Sequence, residues 1–344
     1  MAKSIVLSSG SLLCGSPIVF SVMPNTINER ATFHRVKMEI SAALSTDSSF
    51  DNYIQSAKAK NGVEVAFDVS STLRSVASKY VYEYQTTDRV YPYLIYELKV
   101  YDEYMIDGIL HEKEGVMSYG STLYAYIGEF TDIERYLSSS SKSVQRFSRK
   151  PKLGEVCATD ELLLYPTTLL EPALMDSVIT TGQKVNVRSL SGLSGVNTFD
   201  GHTVYVVPSS SNRIQFQFVN KLGVVESISV EVRKSLSYET ITETDTVSVP
   251  SAFCPGRRIL SRKGTKQQTY AMSTGALNED WADWWINEFL DCTKGAWVKM
   301  EGIWVPCEVI PEDTIIVSDE TTGELCTINF TIRLALSGGF RNRL

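Results

Sequence analysis

The chain has 344 residues, with 33 Lys+Arg against 40 Asp+Glu, three His, six Cys and a net charge of −7. That length, with 43% apolar and 21% charged residues, predicts two or three globular domains and excludes extended disorder. An acidic chain argues against general nucleic-acid binding, and no apolar run reaches the ~20 residues that span a bilayer as a helix.

At the N-terminus, Lys3 and the apolar residues after it imitate a lipoprotein signal ahead of Cys14. Ser8, Ser9, Gly10 and Ser11 break the apolar run, and Leu13 is bulky where a small residue should stand. Residues 1–13 therefore read as a flexible arm before a first strand at 17–22, with no signal peptide and synthesis in the cytoplasm. Period-two alternation then dominates, the pattern of half-buried strands. It is seen in Val36, Met38, Ile40; in Val63, Val65, Phe67, Val69; in Ile214, Phe216, Phe218; in Ile228, Val230, Val232; and in Ile328, Phe330, Ile332, Leu334. Short helices are predicted at 70–78 and 132–137.

One longer helix is well signalled. Asn278 is a good N-cap, Glu279 and Asp280 suit the positive end of the helix dipole, and Trp281, Trp284, Trp285, Phe289 and Cys292 form an apolar stripe that Lys294 and Gly295 close. A hairpin turning at Glu301-Gly302 follows, and a second is expected to run out at 314–317 and return along 325–336. Ser138–Ser141 and the basic residues up to Lys152 have linker composition. The expected division is an N-terminal β-sandwich domain at 1–140, a basic Ser-rich linker at 141–152, and a C-terminal β-rich region at 153–344 with a hairpin and helix module at about 212–337. The fold class is mainly β: antiparallel sandwich or split-barrel domains, the C-terminal one with a single packed amphipathic helix.

Few residues point to chemistry. Cys14, Cys157, Cys254, Cys292, Cys307 and Cys326 are scattered, with no zinc-ligand spacing, so reduced, mostly buried thiols are expected. His34 falls at an outward strand position, and His111 and His202 in loops; no nucleophile elbow, P-loop or metal-binding His pair is present. Asp102, Glu103 and Asp107, or Glu312 and Asp313, could be arranged as a glycosidase pair, but exposed charge is the expectation. No cofactor and no enzymatic activity are expected. All five Trp lie between Trp281 and Trp304. Helical spacing favours a packing face over a sugar platform, with Trp285 or Trp304 as the only ones to reach the surface. Twelve of the seventeen Tyr fall between Tyr80 and Tyr136, and the strand at 94–100 is expected to be covered on both faces, the second cover coming from another layer of the same domain or from a neighbouring subunit. Two basic clusters, 142–152 and 257–266, read as solvated loops or loops meeting acidic patches on a partner.

Residues 14–20 and 62–70, the hairpin at 218–226 with Asn220 and Gly223, and the C-terminal run of Tyr270, the Trp helix, Trp304-Val305-Pro306 and a long last strand resemble tail structural proteins of phages and prophages of the Bacteroidales. The resemblance implies a virion structural protein of the tail tip or baseplate, without catalytic residues. It would form a homo-oligomer, a ring, and dock on other phage tail proteins. Subunit contacts are then expected from the arm 1–13, from a loop carrying Arg257, Arg258, Arg262, Lys263 and Lys266, and from a tail carrying Phe340, Arg341 and Arg343. The alternative reading is a glycan-binding β-sandwich, a receptor-binding tail component or surface adhesin, using Trp285 and Trp304.

Overall fold

The computed structural model describes residues 5–9, 13–27, 31–114, 122–130, 145–170, 179, 181–231, 233–249, 257–312 and 326–335, with backbone alone for 5–9, 113–114, 145, 169–170, 233–249 and 257–268. With 53% strand against 8% helix, the chain is mainly β. It forms two compact units that interleave along the sequence. The first takes 1–148, 164–187 and 220–224; the second takes 149–163, 188–219 and 225–344. The contiguous split expected from linker composition differs from this, because two later segments return to the first unit.

In the first unit, strands Asp51–Lys58, Phe33–Leu44, Tyr93–Ile106 and Ile109–Glu114 form an antiparallel sheet, and Leu123–Tyr126 pairs beside them on Tyr93–Ile106. A second sheet joins Ile5–Ser9, Val19–Val22 and Val65–Asp68. Residues 5–9 are thus not a free arm: Ile5 to Leu7 pair with Val22 to Phe20 of the same chain. Alternation places Val36, Met38, Ile40, Leu94, Leu98 and Val100 in one core with Phe20, Val22, Phe67, Leu73 and Val76. Helix α1, Ser70–Ala77, is started by Asp68, whose Oδ1 accepts from Ser70 N at 2.9 Å and from Ile18 N at 3.2 Å. On the opposite face of the Tyr93–Ile106 strand, Tyr93, Ile95 and Glu97 are half-buried and Lys99 is exposed. Among the described residues this face is thus covered only in part. Asp107-Gly108 turns its hairpin with positive φ at both residues (50° and 79°), as do Asp200-Gly201 and Glu301-Gly302.

In the second unit, seven antiparallel strands run in the order Val225–Glu231, Arg213–Val219, Ala296–Met300, Ile303–Pro311, Asn329–Leu334, Arg257–Ser273, Arg233–Val249. The outgoing strand expected at 314–317 and the helix expected at 132–137 lie outside the described residues, as does Cys254. The Trp helix is present in a modified form. Helix α2, Glu279–Trp284, is capped by Asn278, whose side chain accepts from Trp281 N at 3.0 Å, and it widens into a π-turn at Trp285–Phe289. Its apolar stripe meets the sheet: Phe289 stands edge to face 5.2 Å from Phe216 and 5.3 Å from Phe218, and Trp285 lies tilted 5.6 Å from Phe330. A smaller sheet of Glu155–Ala158, His202–Val207 and Gly195–Phe199 completes the unit; its first pair is parallel.

Candidate functional site

The stretch expected as a solvated basic linker is partly interior. Phe147 and Lys150 are buried, and Gln145–Arg146 pairs with Leu169–Leu170. Strand alternation turns Glu155 inward beside Cys157. Lys150 Nζ donates to Glu155 Oε1 and to the Ser227 carbonyl and sits 5.7 Å over the Trp284 ring. His202 Nε2 meets the other Glu155 oxygen. Burial alone would raise the Glu155 pKa, but Lys150 and His202 outweigh it and hold the carboxyl at about 2. Both oxygens are engaged, so Glu155 anchors the fold and has no free oxygen for proton transfer. Arg149 similarly pairs with Glu288, buried on the π-turn.

A second buried pair corrects the sequence reading of the first unit. Asp102 and Glu103 are 0% and 5% exposed, not surface charges. His34 is not outward: its side chain is 10% exposed and its Nε2 lies 3.1 Å from Asp102 Oδ1. Asp102 Oδ2 accepts from the backbone and side-chain N–H of Asn25, which fastens the segment after Val19–Val22 to the larger sheet. Glu103 accepts from Arg35. Burial pushes the Cys157 thiol up and the Cys292 thiol to about 12, away from the reactive thiolate form. No three His, Cys, Asp or Glu converge for a metal ion among the described residues.

The sequence-expected interface residues fall in two places. Phe340, Arg341 and Arg343 lie outside the described residues. Arg257, Arg258, Arg262, Lys263 and Lys266 do not form a loop: their backbone belongs to strand Arg257–Ser273, paired along its whole length with Arg233–Val249. The β-branched run Thr240, Ile241, Thr242, Thr244, Thr246, Val247, Val249 and the facing Ile259 and Thr265 favour extended backbone despite the interspersed charges. Strand Asn329–Leu334 supports this hairpin only at Thr269–Ser273. From Tyr238↔Gln268 to Val249↔Arg257, twelve residue pairs continue as a two-stranded ribbon with no third strand among the described residues, roughly 40 Å long at ~3.3 Å per residue. Residues 238–249 carry Glu239, Glu243 and Asp245 and no base; residues 257–268 carry the five bases and no acid.

The Trp residues divide. Trp281, Trp284, Trp285 and Trp297 are buried, and Trp285, at 1% exposure, offers no ring face for a surface sugar platform. Trp304 is half-buried on the hairpin strand opposite Lys299. No helix among the described residues is long and apolar enough to cross a membrane. No family model, no curated protein and no solved structure matches the chain.

Proposed function

We propose that this chain is a structural subunit of a phage tail tip or baseplate, acting by self-association into a ring and by docking on neighbouring tail proteins. The observation that carries the reading is the ribbon, which no third strand supports among the described residues. A lone two-stranded ribbon is marginally stable in water, and each open edge presents a row of backbone donors and acceptors that can pair with another chain. One strand of the ribbon is acidic and the other basic. A head-to-tail contact, acidic edge on the basic edge of the next copy, pairs unlike strands, and repeated around an axis it closes into a ring. The motif resemblance to tail proteins supports reading such a ring as part of a virion.

The test is the solution mass of the full chain and of a variant in which 238–268 is replaced by Asn-Gly between Ser237 and Thr269. The full chain is expected as an oligomer with rings in negative-stain images, and the shortened chain as a folded monomer. A full chain that stays monomeric at every concentration would overturn the reading. Antibody labelling of tails in an induced lysate tests the virion assignment separately.

A further inference from the structure

The second unit contains a pocket of about 400 Å³ walled by Val156, Ile228, Val230, Leu277, Trp281 and Trp285. Arg213 also lines it. Its Nη2 donates to the Val156 carbonyl at 2.6 Å and its Nε to the Ser229 hydroxyl at 3.3 Å. Ser229 in turn donates to Glu161 Oε1 at 2.6 Å. These two neutral acceptors fix the guanidinium. Nη1 has no hydrogen-bond acceptor, and Arg213 makes no ion pair among the described residues. The guanidinium's hydrogen bonds go to neutral groups, while Glu231 stands opposite it across the strand pair and the Glu161 carboxylate lies within its field; its unused N–H edge, beside an apolar pocket, gains charge-assisted hydrogen bonds when an anion arrives.

Glu155 lines the same pocket, with its oxygens engaged by Lys150 and His202. Glu231 lines it too, exposed. The volume lies within the ~300–1,000 Å³ of small-molecule sites. We propose that this pocket binds a small monocarboxylate with a ring-shaped or branched apolar body, the carboxylate on Arg213 Nη1 and the body against Leu277 and the rim of Trp281. One free guanidinium edge, already facing Glu161 and Glu231, takes at most one further negative charge. A phosphate dianion would bring a second beside Glu155 and Glu231 without a cation to meet it. The inference stands apart from the assembly reading and survives its failure.

All five Trp lie in this unit, so indole fluorescence reports on the pocket. The full chain is titrated with phenylacetate, isovalerate, phenylacetamide and inorganic phosphate. At least one carboxylate is expected to saturate with a Kd below about 1 mM, with the amide and phosphate at least about tenfold weaker. Arg213→Gln should weaken the carboxylate about tenfold and leave the amide unchanged. No saturation by either carboxylate up to about 10 mM, equal binding of acid and amide, or tighter binding of phosphate overturns the proposal. Should Arg213→Gln lose its cooperative unfolding transition, the acid–amide comparison on the unaltered chain decides.

Discussion

Glu155 converts a buried salt bridge into a dependence on pH. Its carboxyl sits at about 2 in the folded chain against 4.5 ordinarily, so the unfolded chain binds its proton first as pH falls. The stabilisation it gives is complete above about 4.5 and is lost on acidification through about 2. Glu155→Gln leaves Lys150 buried without its counter-charge and should cost about 3–5 kcal/mol. The difference in stability between parent and variant, followed by Trp fluorescence in urea, should shrink between pH 5 and the lowest accessible pH. A difference independent of pH would show that the carboxylate charge is not what Lys150 needs. Gly223 makes the same kind of argument with backbone. At φ +84°, an added Cβ would stand 2.1 Å from the Ile127 carbonyl, whereas at Gly62, φ +75°, it would meet nothing. Gly62→Ala should therefore cost the conformational ~1 kcal/mol alone, and Gly223→Ala well over ~2 kcal/mol. Hydrogen exchange of the strand Tyr93–Ile106, in the same unit, distinguishes the two.

Elements were legible where local chemistry decides them. The cap at Asn278 needs one side chain and one nearby N–H, and both lie within four residues. Removing it, Asn278→Ala, should cost about 1 kcal/mol in the fluorescence-monitored transition of the second unit, and an unchanged midpoint would deny the cap its role. The π-turn that continues the helix carries no signal in the apolar stripe, because a shift of one residue in hydrogen bonding leaves side-chain type untouched. Alternation located the strand Phe33–Leu44, which buries one face fully and the other only in part, and Arg213–Val219, where Gln215 and Gln217 alternate with apolar residues although both faces are buried. It misplaced 257–266 because five bases in ten residues imitate a loop. The buried acids were illegible for another reason. Asp102 and Glu155 satisfy their charge with His34 and Lys150 or His202, and the partners of Asp102 and of the second Glu155 oxygen lie 68 and 47 residues away. A single strand's pattern does not contain them.

At the scale of the molecule, periodicity says that a strand exists and is silent on which sheet it joins, so the interleaving of the two units emerges only in three dimensions. The chain passes between the units five times, and the first unit is incomplete without its late segments. Tyr91 N donates to Gln183 O at 2.9 Å, and Gln85 Nε2 to Val185 O at 3.0 Å. Tyr82 OH donates to Gly223 O at 3.0 Å, and Gln183 Nε2 bridges the Ile127 and Leu222 carbonyls. Each buried polar group left unpaired costs about 1–3 kcal/mol, while a whole domain is held by about 5–15 kcal/mol. A fragment of residues 1–148 should therefore fail to fold cooperatively, showing poor amide dispersion in NMR and a broad thermal transition. A fragment of residues 1–224, which contains every segment of the first unit, should recover the dispersed resonances of that unit. If 1–148 melted as sharply and at the same temperature as the first unit of the full chain, the later segments would be additions to a self-sufficient domain, and the buried hydrogen bonds from Gln183, Val185 and Gly223 would contribute nothing to its stability.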